Sequence, residues 1–208
     1  MSQFVSEFPR SLGARRAELE IARERLCDQL EAARAHAGFA PTGSVEKAGS
    51  VEGVERAQTA GWSVAEVTYH LHLSENSIAR MLRKMLVSGE RGEAASDERL
   101  LEEWERIRTL VGSRVPKMQA PERVVPKDPP GLEQTLGLLG YSRRQLLEVI
   151  AGVADQDLAS IYAPHPLKPL GTLAGSSWLS VIAFHDLRHA EQIRELGAGS
   201  SPESTTAR

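Results

Sequence analysis

The sequence predicts an all-α protein built as a four-helix bundle with long irregular connections. Four long stretches repeat apolar residues at three- and four-residue spacing, as a helix with one buried face requires. Gly- and Pro-bearing connections separate them, and alternating strand patterns are weak throughout.

The first helix spans about Ser11 to His36, an Ala/Arg/Glu/Leu-rich run without proline in which Leu19, Leu26, Leu30 and Ala33 share a face. Cys27, between Leu26 and Leu30, is expected in the core. Residues 38–61 read as a loop with room for a short helical piece. The second helix runs from Ser63 to Ser88. Ser63 is placed to cap it, Glu66 three residues on completes a capping box, and Gly89 stops it. A short helix follows over Arg99 to Leu110. Pro116, Pro121, Pro126, Pro129 and Pro130 then mark an irregular excursion that no helix or central strand tolerates. The remaining long helices cover Leu132–Val153 and Ser177–Leu196, the last stopped by Gly197. Residues 1–197 thus form one bundle domain, and 198–208 a small polar tail expected to be disordered.

Composition removes several function classes. The net charge of −3 is a poor match for a surface that attracts nucleic acid or anionic lipid. One cysteine makes neither an internal disulfide nor a thiolate zinc cluster. No apolar run approaches the ~18 residues of a membrane span, and no signal-peptide core precedes Pro9. The simplest expectation is a soluble cytoplasmic protein.

Six histidines remain, and three have an address. His185 and His189 lie one turn apart on one helix face, the spacing two imidazoles need to share a metal ion. The seam Leu179, Ile182, Asp186, His189, Ile193, Leu196 turns this face toward the core. On the second helix, at about 100° per residue, Ser63, Glu66, His70, Ser74 and Ser77 form one polar strip. Two core-facing helices that each lose apolar character around histidines imply a polar pocket within the bundle. His72, roughly 200° from His70, is expected at the surface or an interface. His165, in Pro-His-Pro, reads as a loop-packing residue and His36 as a partner of the helix dipole. Trp62 and Trp178 read as packing anchors.

These residues also carry a resemblance. Trp62-Ser-Val-Ala-Glu66-Val-Thr-Tyr-His70-Leu71, and the run from His165-Pro through Trp178 to His185-Asp-Leu-Arg-His189-Ala-Glu-Gln192-Ile, resemble the two conserved motifs of the DinB-like (YfiT-like) metalloenzyme superfamily over roughly Leu12 to Leu196. The resemblance implies an up-down-down-up bundle, often a homodimer, with a divalent metal, commonly nickel or zinc, on His70, His185 and His189. It also implies transfer of a low-molecular-weight thiol, or hydrolysis, on a small electrophilic molecule. The long 38–61 connection and the five-proline excursion depart from the family pattern and leave the substrate open.

Three neutral imidazoles leave coordination positions free, where a water or thiol ligand would lose its proton near neutral pH. Glu66 is the carboxylate best spaced to serve as general base, and equally the capping partner of Ser63. Asp186 and Gln192 are placed to orient an imidazole N–H. Arg188 either holds a substrate carboxylate or is an exposed helix arginine. Two alternatives stand beside this reading. Residues 63–88 scan as a helix-turn-helix DNA reader, although His72 sits at the turn and residues 62–91 carry four basic against three acidic side chains. A bundle that binds metal or a small ligand without turnover is the other.

Overall fold

The computed structural model describes residues 7–36, 61–115 and 119–198. Six α-helices account for most of them: α1 (Leu12–His36), α2 (Val64–Ser88), α3 (Asp97–Leu110), α4 (Leu132–Ile150), the short α5 (Asp155–Ala159) and α6 (Gly175–Ala198). α1 packs along α6 and α2 along α4, while α3 lies against α6. Residues 38–60 of the expected loop, Pro116 of the proline-rich excursion, the tail from 199 and the side chain of His36 lie outside the described residues.

The apolar stripes form two core clusters separated by a charged layer. Leu19, Leu82, Leu146 and Leu179 belong to one cluster, and Leu26, Leu71, Leu139 and Ile193 to the other. Along α1 and α6 the chain passes from the first cluster to the second, and along α2 and α4 it passes back. The four long helices therefore run up, down, down, up. Full burial of each such Leu or Ile contributes about 1.5–3 kcal/mol.

Each long helix places one charged residue in the layer between the clusters. Arg23 from α1 donates to Glu75 of α2 and to Asp186 of α6, both at 2.9 Å. Arg143 from α4 donates to the same two carboxylates at 2.6 and 2.9 Å. Ser142 Oγ and the carbonyl of Leu19 complete the layer, donating to Glu75 and accepting from Arg143 respectively. Burial alone would lower the pKa of the Arg23 guanidinium, but Asp186 and Glu75 more than offset it.

Local chemistry sets the helix ends. Ser63 caps α2, and Glu66 closes the capping box by accepting from the Ser63 N–H at 2.8 Å. Gly89 ends the helix with φ 74°, a left-handed conformation that glycine adopts without strain. Ser96 caps α3, which starts two residues before the expected Arg99. α4 stops at Ile150 rather than Val153, because Ala151 turns extended and Gly152 takes φ 73°. α6 begins at Gly175, where a Cβ would stand 2.7 Å from the Leu158 carbonyl and 2.6 Å from Ile161, so only glycine permits this approach. It continues through Gly197 to Ala198 instead of stopping at Leu196.

Several expectations are corrected. α2 is one unbroken helix, with no turn at His72, which removes the helix-turn-helix reading of 63–88. His72 is buried, not at the surface, and it stacks on Tyr69. Cys27 is exposed, about 100° round α1 from buried Leu26. A short hairpin, β1 (Tyr162–Pro164) with β2 (Thr172–Ala174), pairs Ala163 with Leu173 where strand signals are weak. Among the described residues no helix is long and apolar enough to cross a membrane.

Candidate metal centre

The three histidines singled out by spacing meet in space. His70 Nε2 lies 3.1 Å from His185 Nε2, which lies 3.1 Å from His189 Nε2. The three ligand atoms fall within 4.8 Å of one another, with His70 and His189 buried. α2 supplies one ring and successive turns of α6 the other two, so the site depends on the contact between those helices.

Hydrogen bonds at the far side of two rings decide which nitrogen faces the centre. His70 Nδ1 donates to the carbonyl of Val124 at 2.7 Å, and His189 Nδ1 donates to Gln192 Oε1 at 2.8 Å. A neutral imidazole has one proton, so both rings turn a bare Nε2 lone pair inward. Burial, reinforced by mutual repulsion among the rings, holds His185 and His189 well below the ordinary histidine pKa, and burial lowers His70 as well.

Such a donor set fits a divalent cation. Lone pairs converging on His185 Nε2 cannot all be satisfied by its single proton, whereas a cation between them satisfies all three. Metal–nitrogen bonds of ~2.0–2.1 Å place neighbouring ligands ~2.9 Å apart on an octahedron and ~3.4 Å apart on a tetrahedron. The 3.1 Å separations of His185 from His70 and from His189 lie between. Three protein ligands leave positions open, unlike a closed four-ligand structural site.

The triad opens onto a cavity of about 840 Å³. Ser74 and Ser77 continue the polar strip of α2 along its wall, as the sequence implies. Trp62 is more than a packing anchor, since its ring covers His70 with centroids 4.7 Å apart. Trp178 is 3% exposed and stacks on His165 at 5.0 Å. His165 does pack its loop, accepting the Leu167 N–H at Nδ1, and it also lines the cavity. Desolvation, then the charge of Arg123, lowers its pKa to about 4.

The other candidates divide. Gln192 Oε1 accepts from His189 Nδ1. Asp186 does not orient an imidazole: both its oxygens are taken by Arg23 and Arg143 in the charged layer. Glu66 does not reach the cavity; its Oε2 accepts from the Ser63 N–H and, at 2.7 Å, from Ser63 Oγ, which makes it a capping residue. Arg188 does line the cavity. Sequence reasoning misses the Val124 carbonyl, Arg114 and Arg123. These sit on or beside the proline-rich excursion, where no periodicity signals which way a side chain points.

No curated protein and no solved structure matches the chain. The family model of the DinB superfamily matches residues 46–193, which include α2, α3, α4 and all three histidines. A match over that much of the sequence, with the triad assembled within it, establishes that the chain belongs to the DinB superfamily.

Proposed function

We propose that this chain is an enzyme that binds one divalent metal ion, nickel or zinc, on His70, His185 and His189. Its reaction joins a low-molecular-weight thiol, or water, to a small electrophilic molecule. The observation that carries the proposal is the convergence of three Nε2 atoms on the wall of a cavity large enough for such a substrate. A cation held there lowers the pKa of a thiol or water ligand, supplying a nucleophile at neutral pH.

The chain's own residues prepare that chemistry. Val124 and Gln192 fix the tautomers of His70 and His189. Trp62 lies against the His70 ring at the cavity wall, with centroids 4.7 Å apart. His165 accepts from Leu167 at Nδ1, so its proton sits on Nε2 and it serves as a neutral hydrogen-bond donor. Glu66 is committed to Ser63, so no carboxylate of the polar strip acts as base at the centre.

Elemental analysis of protein purified without chelators tests the metal. About one nickel or zinc per chain is expected in the wild type and none in His185→Ala; metal-free wild-type protein refutes the proposal. If metal is present, loss of free thiol in mixtures with electrophiles tests the reaction. Stoichiometric metal without turnover would favour the bundle that only binds.

A further inference from the structure

We infer that the cavity beside the three histidines receives an organic anion, its acid group held by Arg188 and its apolar body lying against Trp178, Ile78 and Met81. The inference rests on the reading of this cavity as the working site, but its main observation is independent of any metal.

That observation is a guanidinium without a counterion. Arg188 lines the cavity and is half-buried, yet among the described residues it makes no hydrogen bond or ion pair. Its Nη1 is shielded from solvent with no acceptor. Arg114 and Arg123 line the same cavity; of the three, only Arg114 has a carboxylate partner among the described residues, Glu195 at 2.7 Å.

Placing an unpaired cation next to a site suited to a divalent metal is unfavourable unless something bound there supplies negative charge. A carboxylate does so, and it matches the flat donor fork of a guanidinium. The cavity has a second unmet donor: Trp178, 3% exposed, leaves its Nε1–H without an acceptor. Apolar side chains, Ile78, Met81 and Val181 among them, make up much of the remaining wall. An inorganic anion would leave that wall unused, so an acid with a hydrocarbon or aryl body suits it better. Arg188 follows His185 by three residues on α6, which puts the two side chains on one helix face. An acid bound at Arg188 therefore presents its other end near the histidines.

Calorimetric titration with 4-phenylbutyrate and with its neutral amide tests this on the full chain at low ionic strength. The acid is expected to bind roughly tenfold tighter than the amide in the wild type. Arg188→Gln should bring the acid down to the affinity of the amide, with Arg188→Lys between. Equal affinities in the wild type, no saturable binding of the acid, or an acid preference intact in Arg188→Gln would each overturn the inference. The wild-type comparison needs no variant, so misfolding of Arg188→Gln would not protect it. Repeating the titration after chelation separates the two readings. An acid preference that persists without metal and depends on Arg188 supports this inference even if the metal proposal fails. A preference that vanishes with the metal but survives Arg188→Gln identifies the acid as a metal ligand and refutes it.

Discussion

Arg143 Nη2 donates to Asp186 Oδ2 at 2.9 Å across the centre of the bundle, while its Nε donates to Glu75 Oε1 at 2.6 Å. One guanidinium therefore ties together α2 and α6, the two helices that carry the three clustered histidines. Asp186 directly follows His185, so the pairing also fixes how α6 is rotated about its axis.

Removing one member of this layer leaves its partners charged and buried. Asp186→Ala should cost about 3–5 kcal/mol. For a chain of this size that lowers Tm by roughly 2–4 °C per kcal/mol. Thermal denaturation measures it, and a loss below about 1 kcal/mol would mean that water relieves the layer.

Gln192 accepts a hydrogen bond from His189 Nδ1 at the wall of the cavity. Without it that ring can rotate or change tautomer. Gln192→Ala should weaken metal binding by about 10–100-fold at nearly unchanged stability. Competition with a chromogenic chelator gives the affinity, and an unchanged value would show that the hydrogen bond does not position the ring.

Glu66 closes the capping box of α2 and lies outside the cavity lining. Glu66→Ala should cost about 1 kcal/mol, with metal content unchanged. Denaturation and elemental analysis on the same preparation check both halves. Loss of metal with stability intact would return Glu66 to the centre.

His165 carries a pH dependence of definite sign. Its pKa falls from the ordinary 6.5 to about 4 in the folded chain. The unfolded chain thus binds a proton in this window that the folded chain does not. The associated stability is complete above pH 6.5 and is lost as pH falls toward 4. His165→Gln should flatten that part of the stability–pH curve for metal-free protein; an unchanged slope would assign it to the triad histidines, whose pKa values are also depressed.

The helices and the histidine cluster were legible because each signal is contiguous. Ser63, Glu66 and Gly89 delimit α2 through bonds within a few residues, and the spacing of His185 and His189 is a property of one helix. Glu66 shows where this stops: its spacing suits a base or a cap, and only the position of Ser63 Oγ at 2.7 Å decides between them. Cys27 and His72 show it again, since a stripe that marks a helix's main buried face does not say how far a neighbouring helix overlaps its edges.

By itself the sequence determined an all-α bundle, the ends of its second helix and the identity of three convergent histidines. Tertiary structure alone decided that Arg23, Glu75, Arg143 and Asp186 form one layer, that Val124 orients His70, and that Arg188 faces the cavity unpaired. The physical reason is range. Helix periodicity and capping are set by hydrogen bonds between residues three or four apart, whereas partnerships across 43 to 163 residues depend on the rotation and register that packing gives each helix.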